Sequence, residues 1–475
     1  MTRLQELPWM EKVALNAQGV RSHKRLPRSD RLNLYRLAWL RPLIESRWPQ
    51  LLIRILTLSG FVFTIAGGLF GSLVGSHNFA IIFVWIAWWT ALKLVFIPFG
   101  GRSWCSVCPI PLPGEWLQQG GILEKGRTRI GLNLPWPKRL RGSWMQSGGF
   151  LLIGLFSALT LTDPHVTGWV LLGLFGLAIG LSLVFERRAF CSYLCPIGGF
   201  SGMYAQSSPI EVRVIEKEIC AKHEVKSCYQ ACPWGLYPVA FRDSSACGLC
   251  MECLRACPQD NLALNLRPFG TDLGKQKTTS RLDEALLALV MLGSVMTFAA
   301  VFTGPWGWLK SAAFEIGSSA WVGYASGYLA LNLILLPAIF FLAVWAGQKF
   351  TGSMLALKQA IATQAQVLLP LGLMAWIAFT VSFAFPKLNL VLTVLNDPFG
   401  WGWHILGLSD TNRIVNITGL STIIQVVLLL AGLFWSARVS KKLSNGTGTL
   451  TLRPNTSVLV FNVIFTLSML WLLVG

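Results

Sequence analysis

Eleven cysteines fall between Cys105 and Cys257 of a 475-residue chain, and none follows. The densest run is Cys247-x2-Cys250-x2-Cys253-x3-Cys257-Pro258. A short loop of this kind brings three thiolates around one compact set of irons, and the proline then turns the fourth away. A structural zinc site takes four ligands, usually from two separated knuckles. The run therefore points to iron–sulfur chemistry. A second run, Cys220-x7-Cys228-x3-Cys232-Pro233, precedes it, and two close pairs, Cys105-x2-Cys108-Pro109 and Cys191-x3-Cys195-Pro196, lie farther upstream. A disulfide scaffold is not expected, because the topology argued below puts these thiols on the reducing side of a membrane.

The Cys247–Cys257 run resembles the bacterial ferredoxins, in which the fourth cysteine ligates the other of two clusters. By that crossed rule Cys232 completes the set Cys247, Cys250 and Cys253 as a [4Fe–4S] centre. The second cluster takes Cys220, Cys228 and Cys257, which is one thiolate short. His223 stands where a C-x2-C pair would place a cysteine. Either His223 is the fourth ligand, or the site holds [3Fe–4S], with His223 a solvated loop residue between Lys222 and Glu224. The spacing resembles the seven-iron ferredoxins, which implies the three-iron form. An imidazole ligand would raise the potential, as in Rieske centres.

The elements that carry these motifs are apolar. The chain is 53% hydrophobic and 13% charged, against about 25% charged in soluble domains. Runs near the ~20 residues a helix needs to cross a bilayer are expected at 51–75, 79–98, 147–162, 167–185, 283–304, 326–347, 362–385, 416–437 and 454–474. The net charge of +19 does not argue for nucleic acid. Lys and Arg gather in alternate loops (Arg102, Lys138, Arg139, Arg187, Lys441), whereas the opposite loops hold Lys310, Lys387 and Arg413, as the positive-inside rule requires. The first 50 residues carry ten Lys/Arg and four Asp/Glu and no apolar signal core. This places the N-terminus and the cysteine loops in the cytoplasm and the C-terminus outside, in the inner membrane. The fold class is a polytopic α-helical membrane protein of about nine spans with a small α+β ferredoxin-like two-cluster insert. Its parts are a basic tail (1–50), a four-span tandem repeat (51–208), the insert (209–272) and a five-span C-terminal domain (273–475).

The tandem repeat is legible as FGGRSWCSVCPIP and FERRAFCSYLCPIG, 86 residues apart at the first cysteine. Each copy follows a two-span hairpin, so both pairs reach the same face. Prolines stop the helices and free backbone donors for cluster sulfurs. Arg102, Arg187 and Arg188 could offset the negative charge. One pair cannot saturate a cluster, but Cys105, Cys108, Cys191 and Cys195 together supply four thiolates for a third cluster at the membrane face. Two reversible dithiol pairs or a quinone-reactive thiol are the alternative.

This arrangement resembles the membrane polyferredoxins over about residues 50–270. The resemblance implies two cysteine-proline motifs at membrane helix ends followed by a two-cluster ferredoxin insert. It implies electron transfer between cytoplasmic-side clusters and a quinone or a redox partner, such as a cytochrome or metalloenzyme subunit. The chain departs from the family in its shorter first pair, its missing ferredoxin cysteine and the lack of a flavin-bearing domain before the spans, so a covalent FMN is not expected. The expected role is that of an electron-transfer subunit rather than a complete enzyme. Rival readings are an assembly-type reductase or redox sensor for a metalloenzyme, and a redox-driven transporter.

Other residues carry weaker signals. His77 and His165 fall at outer hairpin tips, and His404 in DPFGWGWHILG could belong to an outer haem or quinone site, though interfacial turn histidines explain all three. Trp401 and Trp403 read as aromatic-belt residues. Lys93, near the inner end of its span, is expected to snorkel to the interface. Glu115, Glu186 and Asp283 are expected near the inner interface as solvated carboxylates or proton acceptors.

Overall fold

The structure, a computed structural model, describes residues 31–122, 130–222, 225–275, 281–351, 355–407, 418–445 and 456–474. Eight helices among them are long and apolar enough to cross a membrane. They are α1 (Trp48–Phe70), α2 (Phe79–Gly100), α3 (Pro164–Val184), α4 (Leu282–Phe302), α5 (Ser319–Phe350), α6 (Leu357–Lys387), α7 (Gly419–Ser444) and α8 (Thr456–Val474). The protein is a multi-pass membrane protein.

The run expected to span at 147–162 is instead a broken pair, Trp144–Leu155 and Ser157–Thr160, interrupted at Phe156. At 1.5 Å per residue, neither piece reaches across a bilayer alone.

Small residues set the crossing of the two repeats. A Cβ on Gly68 of α1 would lie 3.0 Å from Cα of Gly168 in α3 and 2.9 Å from the carbonyl oxygen of Pro164. Only glycine lets the two backbones approach so closely. The C-terminal helices close around α6, which is buried along most of its length. Its Trp376 packs edge-on against Phe150 and Phe200 of the repeat region. The two halves thus share one core.

Three strands build the insert in the order β1-β3-β2, all antiparallel: β1 (Leu32–Asn33), β2 (Ile210–Val214) and β3 (Leu262–Leu266). The first strand comes from the segment read as tail. Tyr35 and Ile44 enter the insert core beside Val212, Leu249, Leu254 and Leu264. Arg255 donates to the carbonyls of Ile44 and Ser46, and Arg47 pairs with Glu252. A small domain gains needed apolar burial this way.

The insert is pinned at both ends by buried charge. Arg267 bridges Glu211 and Asp272, each at 2.6 Å, and all three side chains are fully buried. Arg213 adds contacts to both carboxylates. Burial alone would raise the Asp272 carboxyl, but the Arg267 hydrogen bonds and the surrounding cations hold it well below the usual carboxylate range.

Lys93 departs from expectation. It does not snorkel; it is completely buried, because the π-helical turn Leu92–Phe96 aims it inward at α6 rather than along the helix toward water.

Candidate metal centres

The two cysteine-proline motifs fold on one backbone plan. A residue in the left-handed region starts each: Gly101 (φ +58°) and Arg187 (φ +61°), 86 positions apart. A single helical turn then carries the first cysteine. The second cysteine is extended, and proline opens a new helix, Leu112–Gln119 soon after it in the first copy and Pro196–Tyr204 at once in the second. In the first copy the turn Trp104–Val107 is α-helical; in the second, Phe190–Leu194 is π-helical. A π-bulge absorbs one extra residue within a helical turn, and that is the difference between C-x2-C and C-x3-C.

Each copy grips the other. Arg102 Nη2 donates to the carbonyl of Cys191 at 2.9 Å. Arg188 Nη1 donates to the carbonyl of Cys105. These arginines, like these cysteines, are 86 residues apart, so the clasp is reciprocal. Arg188 also forms a buried ion pair with Glu115. Burial would raise the Glu115 carboxyl, but the Arg188 charge and then Arg54 hold it below its ordinary value. Glu115 is therefore neither solvated nor a ready proton acceptor. Arg54 and Thr57 of α1 donate to the carbonyls of Ser106 and Val107, and Gln146 to that of Ser192.

The clasp brings four thiols into one another's electrostatic range. Burial pushes Cys108 far up, and Cys105 and Cys195 push it further. Cys191 is raised strongly by burial; Cys195, Cys108 and Cys105 add to this, while the Arg188 charge opposes it. Cys195 is pushed up to about 11 by burial, against the backbone N–H of Gly198, which donates to its Sγ at 3.3 Å. The hydroxyl of Ser201 lies 3.8 Å from Cys105 Sγ.

Two further groups lie in the insert. Cys232 is among the neighbours that raise Cys247, Cys250 and Cys253, in each case after burial itself, which takes Cys247 to about 11. The loop between them turns through Leu249 (φ +51°) and Met251 (φ +63°). Gly248 has no alternative there: a Cβ would sit 2.2 Å from the Trp234 ring. Cys228 is pushed up to about 11 by burial and then by Cys257, with Cys220 adding to the effect. Asn261 ties this group together: its backbone N–H donates to Cys257 Sγ and its side-chain amide to Cys220 Sγ, each at 3.4 Å. His223 lies outside the described residues.

The three groups adjoin. Cys228 and Cys253 share the insert core. Cys105, Trp234 and Cys250 form one buried apolar cluster, and Arg188 stacks on the Trp234 ring at 4.6 Å. Neither Trp234 nor Asn261 was flagged by spacing. The available signal was the aromatic directly after Cys232-Pro233 and the amide four residues after Cys257.

Among the described residues, no three His, Cys, Asp or Glu side chains are close enough to enclose a single metal ion. Buried thiols that raise one another cannot ionise together without added positive charge. The donor sets therefore suit clusters. Of the outer histidines, His404 and His165 are exposed, and His77 is half-buried in the turn Gly75–His77. The loop bearing His404 is fastened to the first hairpin tip, where Ser72 N–H donates to Phe399 and Phe79 N–H to Pro398.

Comparison with known proteins agrees with the repeat. A family described as "4Fe-4S binding domain" matches residues 81–133 and 167–212, two segments whose starts are again 86 residues apart and which contain the two motifs. The methylamine utilization ferredoxin-type protein MauN of Paracoccus denitrificans is 29% identical over 162 residues, 30% of this chain and 52% of that protein. The ferredoxin-type protein NapH of Haemophilus influenzae is 34% identical over 67 residues, 14% of this chain and 21% of its own length. The chain is similar to membrane ferredoxin-type proteins.

The match and the cysteine runs support iron–sulfur clusters in this chain. The uncharacterized protein MJ0749 of Methanocaldococcus jannaschii, 24% identical over 220 residues, matches it over 45% of the chain and 82% of the relative. The chain spans about half the length of the MauN relatives it matches. No solved structure matches it.

Proposed function

We propose that this protein relays electrons between cytoplasmic-side clusters and a quinone or a redox partner subunit in the inner membrane. Cys247, Cys250, Cys253 and Cys232 would hold one [4Fe–4S] cluster of the insert. Cys220, Cys228 and Cys257 would hold the second, with three irons, or with four if His223 ligates. Cys105, Cys108, Cys191 and Cys195 would share a third at the membrane face. When bound, such clusters supply one-electron transfer.

The observation that carries this reading is the reciprocal clasp, in which Arg102 and Arg188 each hold the backbone of the other copy's first cysteine. It supports reading the two pairs as one donor set, and Cys105 packs beside Trp234 and Cys250. The chain's own residues then do three things. Trp234 and its neighbours exclude water between the membrane-face and insert thiols. Gly198 and Asn261 offer hydrogen bonds to sulfurs, which favour the more negative state. Arg102 and Arg188 offset thiolate charge.

Iron analysis and EPR of the purified full chain test the proposal. About eleven or twelve irons per chain are expected, since two ferredoxin clusters account for seven or eight. A count that stops at about eight removes the membrane-face cluster. Quinol that can neither reduce nor be oxidised by any signal removes the quinone branch.

A further inference from the structure

Lys93 has no assigned task. It lies in the second π-helical turn of α2, is fully buried, and its Nζ has no hydrogen-bond partner among the described residues. Three rings enclose the nitrogen: Trp89 of the same helix at 5.2 Å, and Trp376 and Phe379 of α6 at 5.4 and 5.7 Å. An ionisable side chain within a span is costly and ordinarily marks function. Aromatic faces at this range attract a cation and soften that cost. They carry no net charge, so a balancing anion must come from elsewhere.

The surroundings point to one source. The Trp89 ring packs on Phe200 at 5.4 Å. The next residue, Ser201, places its hydroxyl 3.8 Å from Cys105 Sγ. Trp104, directly before Cys105, packs on Trp88 and Phe96, which flank Lys93 on α2. The lysine cage and the shell of the membrane-face thiols therefore share a wall. Four thiolates around an iron–sulfur core leave a net negative charge, and uptake of one electron makes it more negative by one. Arg188 is already balanced by Glu115; Arg102, which donates only to neutral carbonyls, keeps its charge but is a single cation against a set carrying more than one negative charge.

We propose that Lys93 is held as an ammonium ion as the counter-charge of the membrane-face set, where it favours the reduced state and raises the reduction potential. This inference rests on the reading that Cys105, Cys108, Cys191 and Cys195 share one cluster. It also gives the C-terminal spans a task. Helix α6 supplies two of the three rings, so it tunes a redox site whose ligands all lie outside it.

The test is an EPR-monitored redox titration of the full chain in detergent, with iron content measured alongside. Wild type is compared with Lys93→Met, Lys93→Gln, Lys93→Arg and Trp376→Leu. Both neutral variants are expected to keep their iron and lower the midpoint potential of the membrane-face signal alone. Lys93→Arg restores the wild-type value, and Trp376→Leu shifts it the same way by less. Two neutral variants guard against a packing artefact in either. An unchanged midpoint in Lys93→Met and Lys93→Gln, or an equal shift of every signal, overturns the inference while the shared cluster stands. A wild type without a third signal overturns both.

Discussion

The two cysteine motifs share a backbone plan but differ in their duties. The first copy turns through Gly101, where no side chain is present, and packs against Ser208 and Ala205. The second turns through Arg187, a residue that pays about 1–3 kcal/mol to sit in the left-handed region. Its guanidinium donates to the carbonyls of Tyr229 and Cys232, each at 3.0 Å, and stacks on Tyr229. Both copies therefore reach the insert, the first through Arg102, which donates to the Ser245 carbonyl, and the second through Arg187. The second copy's extra residue is taken up by the π turn at Phe190–Leu194, which leaves the flanking cysteine and proline in equivalent places. Two copies of one backbone plan thus meet the insert by different contacts, Cys105 beside Trp234 and Cys250 from the first and Arg187 on Tyr229 and Cys232 from the second.

Removing the clasp on one side is the strongest way to break this comparison. Arg188→Met strands Glu115 as a buried unpaired carboxylate. A loss of about 3–5 kcal/mol is expected, seen as a lower denaturation midpoint in detergent together with loss of iron. Arg102→Met removes hydrogen bonds but strands no charge, so it should cost about 1.5–3 kcal/mol. Equal losses from the two variants would deny the asymmetry.

The tether of the insert should fail next. Asp272 lies fully buried on Arg267. Asp272→Asn is expected to cost about 3 kcal/mol at neutral pH, within the range for breaking a buried pair. Because its folded value is depressed, its contribution is complete above the ordinary carboxylate range, near pH 4, and is lost as pH falls through the lower folded value. Acid unfolding of wild type followed by circular dichroism should therefore show a limb below about pH 4 that flattens in the variant.

Gly248→Ala drives a methyl group into the Trp234 ring. An overpacking cost of about 1–3 kcal/mol is expected, with altered signals from the Cys247–Cys253 set. Smallest of all should be deletion of Leu194, which gives both copies the same spacing. The π turn relaxes to an α turn, and iron content should hold. Loss of iron would show that the extra residue is needed by the donor set itself.

Much of this was legible in the sequence, for physical reasons. Eleven thiols in four runs carry their chemistry in their spacing, and a tandem repeat of 86 residues is visible without structure. Arg102 and Arg188 were read as charges beside a cluster. That each reaches across to the opposite copy depends on two hairpins packing through Gly68 and Gly168, which no local pattern encodes. Lys93 was misplaced because hydropathy reports depth in a membrane and not which neighbours a helix face meets. The strand Leu32–Asn33 was hidden because two residues hold no periodicity. Trp234 and Asn261 gain their meaning only from what folding places beside them.

The central claim is that two copies build one site. It is tested most directly by Cys105→Ser and Cys191→Ser, made singly in the full chain and followed by iron content and EPR. The account predicts that each variant loses the same third signal, while both insert signals remain. Loss of that signal from only one variant, or from neither, would contradict it.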